Sequence, residues 1–103
     1  MIFESLYESS QRGELILIDG GYCRWHRRRD HTITIYEIIS QRPGAGQAML
    51  AQLVAQKPIA ITAKCPTDLA SNEWYARRGF ALERVEPTRS GRQLNVWVLR
   101  CQS

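Results

Sequence analysis

The stretch TITIYEIISQRPGAGQAMLAQLVAQKPIAITAKC, residues 32–65, constrains the fold more than any other part of the chain. A β-branched run turns on Gly44-Ala45-Gly46. Met49, Leu50, Leu53 and Val54 then follow at helical spacing, Pro58 ends that run, and a second β-rich run begins. A strand, a helix and a strand joined this closely bury their apolar sides together as a right-handed crossover with parallel strands. Alternation along the first strand places Ile33, Ile35, Glu37 and Ile39 on one face, so a carboxylate is expected in an otherwise apolar row.

The flanking segments extend this unit into a sheet. Ile2 to Gln11 is compatible with a short helix ended by Gly13, with Ile2, Phe3, Leu6 and Tyr7 on one side. ELILID is expected to be a buried strand, DGG a hairpin turn whose Asp-Gly pair takes positive φ angles, and YCRWHRRR the returning strand. In that strand Cys23 and Trp25 share one face, and Tyr22, Arg24, His26 and Arg28 the other. After Cys65-Pro66, DLASNEWYARR is a second helix closed by Gly79, and FALERVE and RQLNVWVLR form a last antiparallel pair. The expected order is α-β-β-β-α-β-α-β-β: one α/β (α+β) domain over residues 1–103, with helices on a mixed, mostly antiparallel sheet.

Composition narrows the setting. Cys23, Cys65 and Cys101 are odd in number and lie far from any His pair with ligand spacing, which argues against a disulfide framework and a zinc site. No run approaches the ~20 apolar residues of a membrane span, and Glu4 and Glu8 stand where a signal peptide would be basic and then apolar. A cytoplasmic, unprocessed protein without a metal is expected. The net charge is +4, with twelve Arg against two Lys. Arg presents a planar fork suited to phosphate and carboxylate, so the bias points to an anionic ligand or partner.

A glycine turn feeding a helix N-terminus is suited to phosphate, because free N–H groups and the helix dipole converge there. Two phosphate-binding patterns fail. A P-loop needs Gly-Lys-Ser/Thr, which is absent, and a dinucleotide fingerprint needs a small residue where Met49 stands and an acid near Lys64 and Cys65. What remains is Gln41-x-x-Gly44-x-Gly46, which resembles the signature of the GNAT superfamily of acyl-CoA-dependent N-acetyltransferases. SNEWYARRGF resembles that family's second recurrent element, with Asn72, Trp74, Tyr75, Gly79 and Phe80 in place. The resemblance covers roughly residues 14–100 and lacks the helices that follow the first strand in larger members; in this it is similar to compact phage-type acetyltransferases, at least one family of which modifies a host protein as an anti-CRISPR factor.

The resemblance implies a compact GNAT fold with splayed parallel motif strands, acetyl-CoA as acyl donor, and an amine acceptor: a protein lysine, N-terminal amine, aminoacyl group, polyamine or drug. It implies that amides from about Arg42 to Ala48, Pro43 excepted, hold the CoA pyrophosphate, so that Gln41, Arg42, Gly44, Ala45, Gly46, Gln47 and Ala48 form the cradle. Backbone groups of Ile38 and Ile39 would pair with pantetheine and polarise the acetyl carbonyl. Tyr75 would protonate the leaving thiolate, and Asn72 would orient pantetheine or cap its helix.

Each assignment has a plainer alternative. Glu37 is a general base, acting directly or through water, or the partner of an arginine. Tyr75 is an acid or an aromatic core residue; Trp74 beside it is read as core. Arg42, Arg77 and Arg78 meet phosphates or are solvated. The run Arg24–Asp30 binds nucleic acid or an acidic protein, with Trp25 for stacking, or is a solvated strand and turn. A catalytically silent binding module built on that run is the alternative to the enzyme. Exposed terminal strands would allow a homodimer.

Overall fold

The computed structural model describes residues 7, 8 and 10–101. Of the expected first helix, Tyr7, Glu8, Ser10 and Gln11 are helical, and its remaining positions lie outside the described residues. The elements that follow are β1 (Leu15–Ile18), β2 (Gly21–Arg27), β3 (Ile33–Ser40), α1 (Ala45–Ala55), β4 (Ala60–Pro66), α2 (Ser71–Arg77), β5 (Ala81–Pro87) and β6 (Gln93–Arg100). They form one six-stranded sheet in the order β1-β2-β3-β4-β6-β5, in which only β3 and β4 are parallel. This is the expected mixed sheet, with the crossover helix α1 between the parallel strands.

One face of the sheet carries the core. Trp25, Ile33, Ile35, Ile61, Ala63, Cys65 and Trp97 meet Met49, Leu50 and Leu53 of α1 and Tyr75 of α2 there. Val54, expected on the same stripe, is 41% exposed. β1 is an edge strand rather than a buried one: Ile16 is buried, and Leu17 points away and is 74% exposed. In the turn that follows only Gly20 has a positive φ, 90°; Asp19 does not share it.

A β-bulge overturns the expected apolar row on β3. Arg24 pairs with Glu37 and Trp25 with Ile35, so Tyr36 is an extra residue with no partner on β2. Beyond it the faces exchange. Ile38, opposite the buried Cys23, packs on the core, whereas Glu37, opposite Arg24, lies on the other face with Tyr22 and Ile39. Strict alternation fails because one inserted residue shifts a period of two by half.

On that second face of β4, β6 and β5, ion pairs replace a helix. Lys64 pairs with Glu86 (2.8 Å), Glu86 with Arg84 (2.7 Å), Arg84 with Glu83, and Glu83 with Arg100 (3.3 Å). Val96 stands between Lys64 and Arg84 in the sheet and is fully buried, as the apolar stems of such side chains cover what their charged ends leave.

α2 ends in a Schellman motif. Gly79 has φ 95°, its N–H donates to Ala76 O (3.2 Å), and Phe80 N–H donates to Tyr75 O (3.1 Å). The Phe80 ring meets the Tyr75 ring edge to face at 5.2 Å between centroids. The glycine cap therefore fixes where Tyr75 stands.

Candidate active site

β3 and β4 pair only from Ile33–Ile61 to Ile35–Ala63, although β3 runs on to Ser40 and β4 to Pro66. The bulge at Tyr36 marks the point where the two strands separate. Past it, the β3 backbone groups on that side, those of Ile38 among them, have no strand partner, whereas Ile39, expected to share this role, turns its carbonyl toward Gly21 on β2. The gap forms a pocket of about 390 Å³ lined by Ile38, Ile39, Ser40, Gly46, Ser71, Trp74 and Tyr75. Ile38 faces the helices and Ile39 the opposite side, so the pocket opens through the sheet.

The glycine loop closes one end. Gly44 is the N-cap of α1 at φ 85°, a conformation that a side chain would strain, and no acidic residue stands in the first turn. The N–H of Ala45 donates to Arg42 O (3.1 Å) and that of Ala48 to Gly44 O (3.0 Å). These two amides, expected in the cradle, are therefore used within the loop. Those of Gly44, Gly46 and Gln47 have no backbone acceptor among the described residues, and they form the anion-binding end. The Gln41 N–H donates to Gly20 O (2.6 Å), which ties the loop to the β1–β2 turn. Arg42 reaches the carboxylate of Asp19 and lays its stem over Gly20, so it braces the loop.

Gly46 has a second constraint. A Cβ built there would stand 2.9 Å from Cζ2 of Trp74, too close for any real side chain. Trp74, expected as plain core, instead forms a pocket wall across the start of α1. Ser40 and Ser71 are further lining residues that sequence reasoning did not single out. Ser71 Oγ is 3.3 Å from Cys65 Sγ, where β4 ends.

Tyr75 is brought to the pocket by α2. It is 6% exposed, stacked near Trp97 (6.4 Å) and edge-on to Trp74 (5.3 Å). Burial pushes its phenol pKa well above the ordinary value, with the nearby Cys65 and Cys23 adding to the rise. Tyr75 is thus both an aromatic of the core and a pocket-lining phenol.

Asn72 neither caps the helix, whose N-cap is Ala70, nor lines the pocket. Its amide donates to Pro66 O and Leu69 O, both at 2.8 Å, and its carbonyl accepts from Asn95 Nδ2 (3.0 Å) and Trp97 Nε1 (2.8 Å). All four positions are filled by the end of β4, the turn into α2, and β6. Asn72 holds the splayed strand end against the helix that carries Tyr75. Asn72→Ala leaves these groups unpaired and is expected to cost about 3 kcal/mol of stability in urea unfolding; a loss under about 1 kcal/mol would show that the network is not an anchor.

Glu37 accepts from Arg24 Nε at 3.1 Å, with both side chains roughly three-quarters buried. Arg24 also lies over the Tyr36 ring at 5.9 Å. The pair removes Arg24 from the basic run, and Trp25, 8% exposed, is core and offers no surface for stacking. Arg77 pairs with Glu73 (3.3 Å) on the exposed side of α2. Among the described residues no cluster of His, Cys, Asp and Glu could hold a metal, and no helix is long and apolar enough to cross a membrane.

No protein-family sequence model matches the chain, and no curated protein matches it in sequence. Solved structures do match. A GNAT-family acetyltransferase from Bacillus cereus superposes with a TM-score of 0.79 at 13% identity, over 94% of this chain and 77% of that one. An aminoglycoside 6'-N-acetyltransferase complexed with coenzyme A gives 0.78 at 10% identity, over 97% and 79%. A GNAT-family structure from Desulfovibrio desulfuricans gives 0.71 at 21% identity, over 81% of this chain, which spans only 62% of its length. With the strand order, the splay and the glycine loop already seen, these superpositions identify the architecture: the chain has the GNAT acetyltransferase fold.

Proposed function

We propose that the chain transfers an acetyl group from acetyl-CoA to an amine by direct attack, with no covalent enzyme intermediate. The observation that carries this reading is the splay of β3 and β4, which leaves backbone groups of Ile38 facing a pocket that has free loop amides at one end and the Tyr75 phenol in its wall. A neighbour of the same fold is complexed with coenzyme A. The donor supplies an activated thioester.

The remaining work falls to the protein. The amides of Gly44, Gly46 and Gln47 hold the pyrophosphate. Backbone groups of Ile38 align the pantetheine arm, and its N–H stabilises charge on the acetyl oxygen. Alignment of the amine with the carbonyl provides much of the acceleration. Tyr75 stays protonated at neutral pH because burial raises its pKa, so it donates a hydrogen bond to the departing sulfur. Full proton transfer to a thiolate, whose conjugate acid has a pKa of about 8.5, would run uphill; the phenol therefore acts mainly by stabilising the leaving group. Glu37, on the face opposite α1 and α2, receives a proton from an amine entering through the gap, directly or through water, while Arg24 orients its carboxylate.

Calorimetric titration with acetyl-CoA, run beside NAD and ATP, tests the reading. Saturable one-site binding to acetyl-CoA alone is expected. Absence of that binding would overturn the assignment of the pocket and leave the fold intact.

A further inference from the structure

Charge pairing is uneven over the surface. Seven arginines and Lys64 each face a carboxylate. Arg27, Arg28, Arg29 and Lys57 have no carboxylate partner among the described residues, and all four lie at one end of the molecule.

Three hydrogen bonds show this clustering. Arg27 Nη1 donates to Gln56 O at the end of α1 (3.5 Å), Ile59 N–H donates to His31 O (2.9 Å), and Cys101 N–H donates to Ile59 O (2.9 Å). The β2–β3 turn, the C-terminal end of α1 and the start of β4 therefore form one pole, opposite the glycine loop across the length of α1, roughly 16 Å. The acid in the β2–β3 turn, Asp30, is exposed but engaged by the turn itself: its carboxylate accepts from Thr32 N (3.0 Å) and Thr32 Oγ1 (2.6 Å).

The same pole exposes two aliphatic side chains beside Lys57, Val54 at 41% and Ile59 at 48%. Nucleic-acid backbones have no use for aliphatic contacts, and the tryptophan of the basic run is buried and unable to stack on bases. Acidic peptides with interspersed aliphatic residues match both the charge and the apolar spots.

We propose that this pole docks an acidic protein segment bearing aliphatic side chains, at a site separate from the acetyl-donor pocket. The proposal does not rest on acetyl transfer.

Fluorescence anisotropy of the full chain with a short labelled peptide of Glu, Asp and Leu tests it, beside the same peptide with Ser for Leu and a short DNA duplex. Arg29→Glu with Lys57→Asn should weaken peptide binding by at least about tenfold; Asn tolerates the left-handed backbone of Lys57, φ 58°. Val54→Ser with Ile59→Ser should weaken it several-fold, and the Leu-to-Ser peptide should bind correspondingly less well. Arg89→Glu, in the turn between β5 and β6, makes the same charge change as Arg29→Glu elsewhere and should have little effect. Circular dichroism melting confirms that each variant is folded. Tighter binding of the duplex, or an equal loss from Arg89→Glu, would overturn the proposal, as would no saturable peptide binding.

Discussion

Tyr75→Phe is expected to lower kcat by about a hundredfold while changing acetyl-CoA affinity by less than about twofold. The phenol oxygen is the one atom removed. The ring contacts with Trp74, Phe80 and Trp97 that fix its position stay in place, and so does the Schellman cap below it. Because burial keeps the phenol protonated, its contribution should hold across the neutral range, and Tyr75 should not create an alkaline limb below about pH 10, its unperturbed value. The assay is steady-state release of CoA thiol with an amine panel, beside calorimetry for affinity. An unchanged kcat removes Tyr75 from the mechanism, and a large loss of affinity would mean that it binds the donor. Glu37→Gln in the same assay separates the two readings of that residue: a base loses rate, whereas a mere partner for Arg24 loses only stability.

Gly46→Val should abolish measurable acetyl-CoA binding, a loss of at least about a hundredfold. Its new Cβ collides with the Trp74 indole, which has to shift within the pocket wall, and the added branches screen the amides at the head of α1. Gly44→Val acts differently. There is open space around Gly44, so the substitution is resisted by the backbone, since β-branched residues avoid φ near 85°. Two glycines of one motif thus serve distinct physical needs, close approach at Gly46 and left-handed geometry at Gly44. Calorimetry on each variant, with circular dichroism to verify folding, reads the outcome; wild-type affinity in Gly46→Val would place the donor elsewhere.

Much of this architecture was legible in the chain itself. The β-branched runs, the Met49–Leu53 helical spacing and the stops at Pro58 and Gly79 placed every described strand and both helices within a few residues, because those signals are local. The errors arose where one residue depends on a distant one. Nothing near Tyr36 announces a bulge, since it is defined by register against β2. The roles of Asn72 and Trp74 were hidden for the same reason: one is set by carbonyls and side chains on β4 and β6, the other by a glycine on α1. Arg24 read as part of a basic run because alternation along one strand does not reveal a carboxylate on the next. Arg42 was left between phosphate and solvent for the same want of sight of Asp19.

The bulge at Tyr36 makes chain length, more than side-chain identity, the quantity that this strand must keep. Tyr36 is 52% exposed, so many residues can replace it without touching the core. Its deletion is another matter: Glu37, Ile38 and Ile39 would keep their partners and faces, but β3 would pair regularly with β2 and lose the local bend at the point where it parts from β4. Along β3 the molecule tolerates misspelling and not omission.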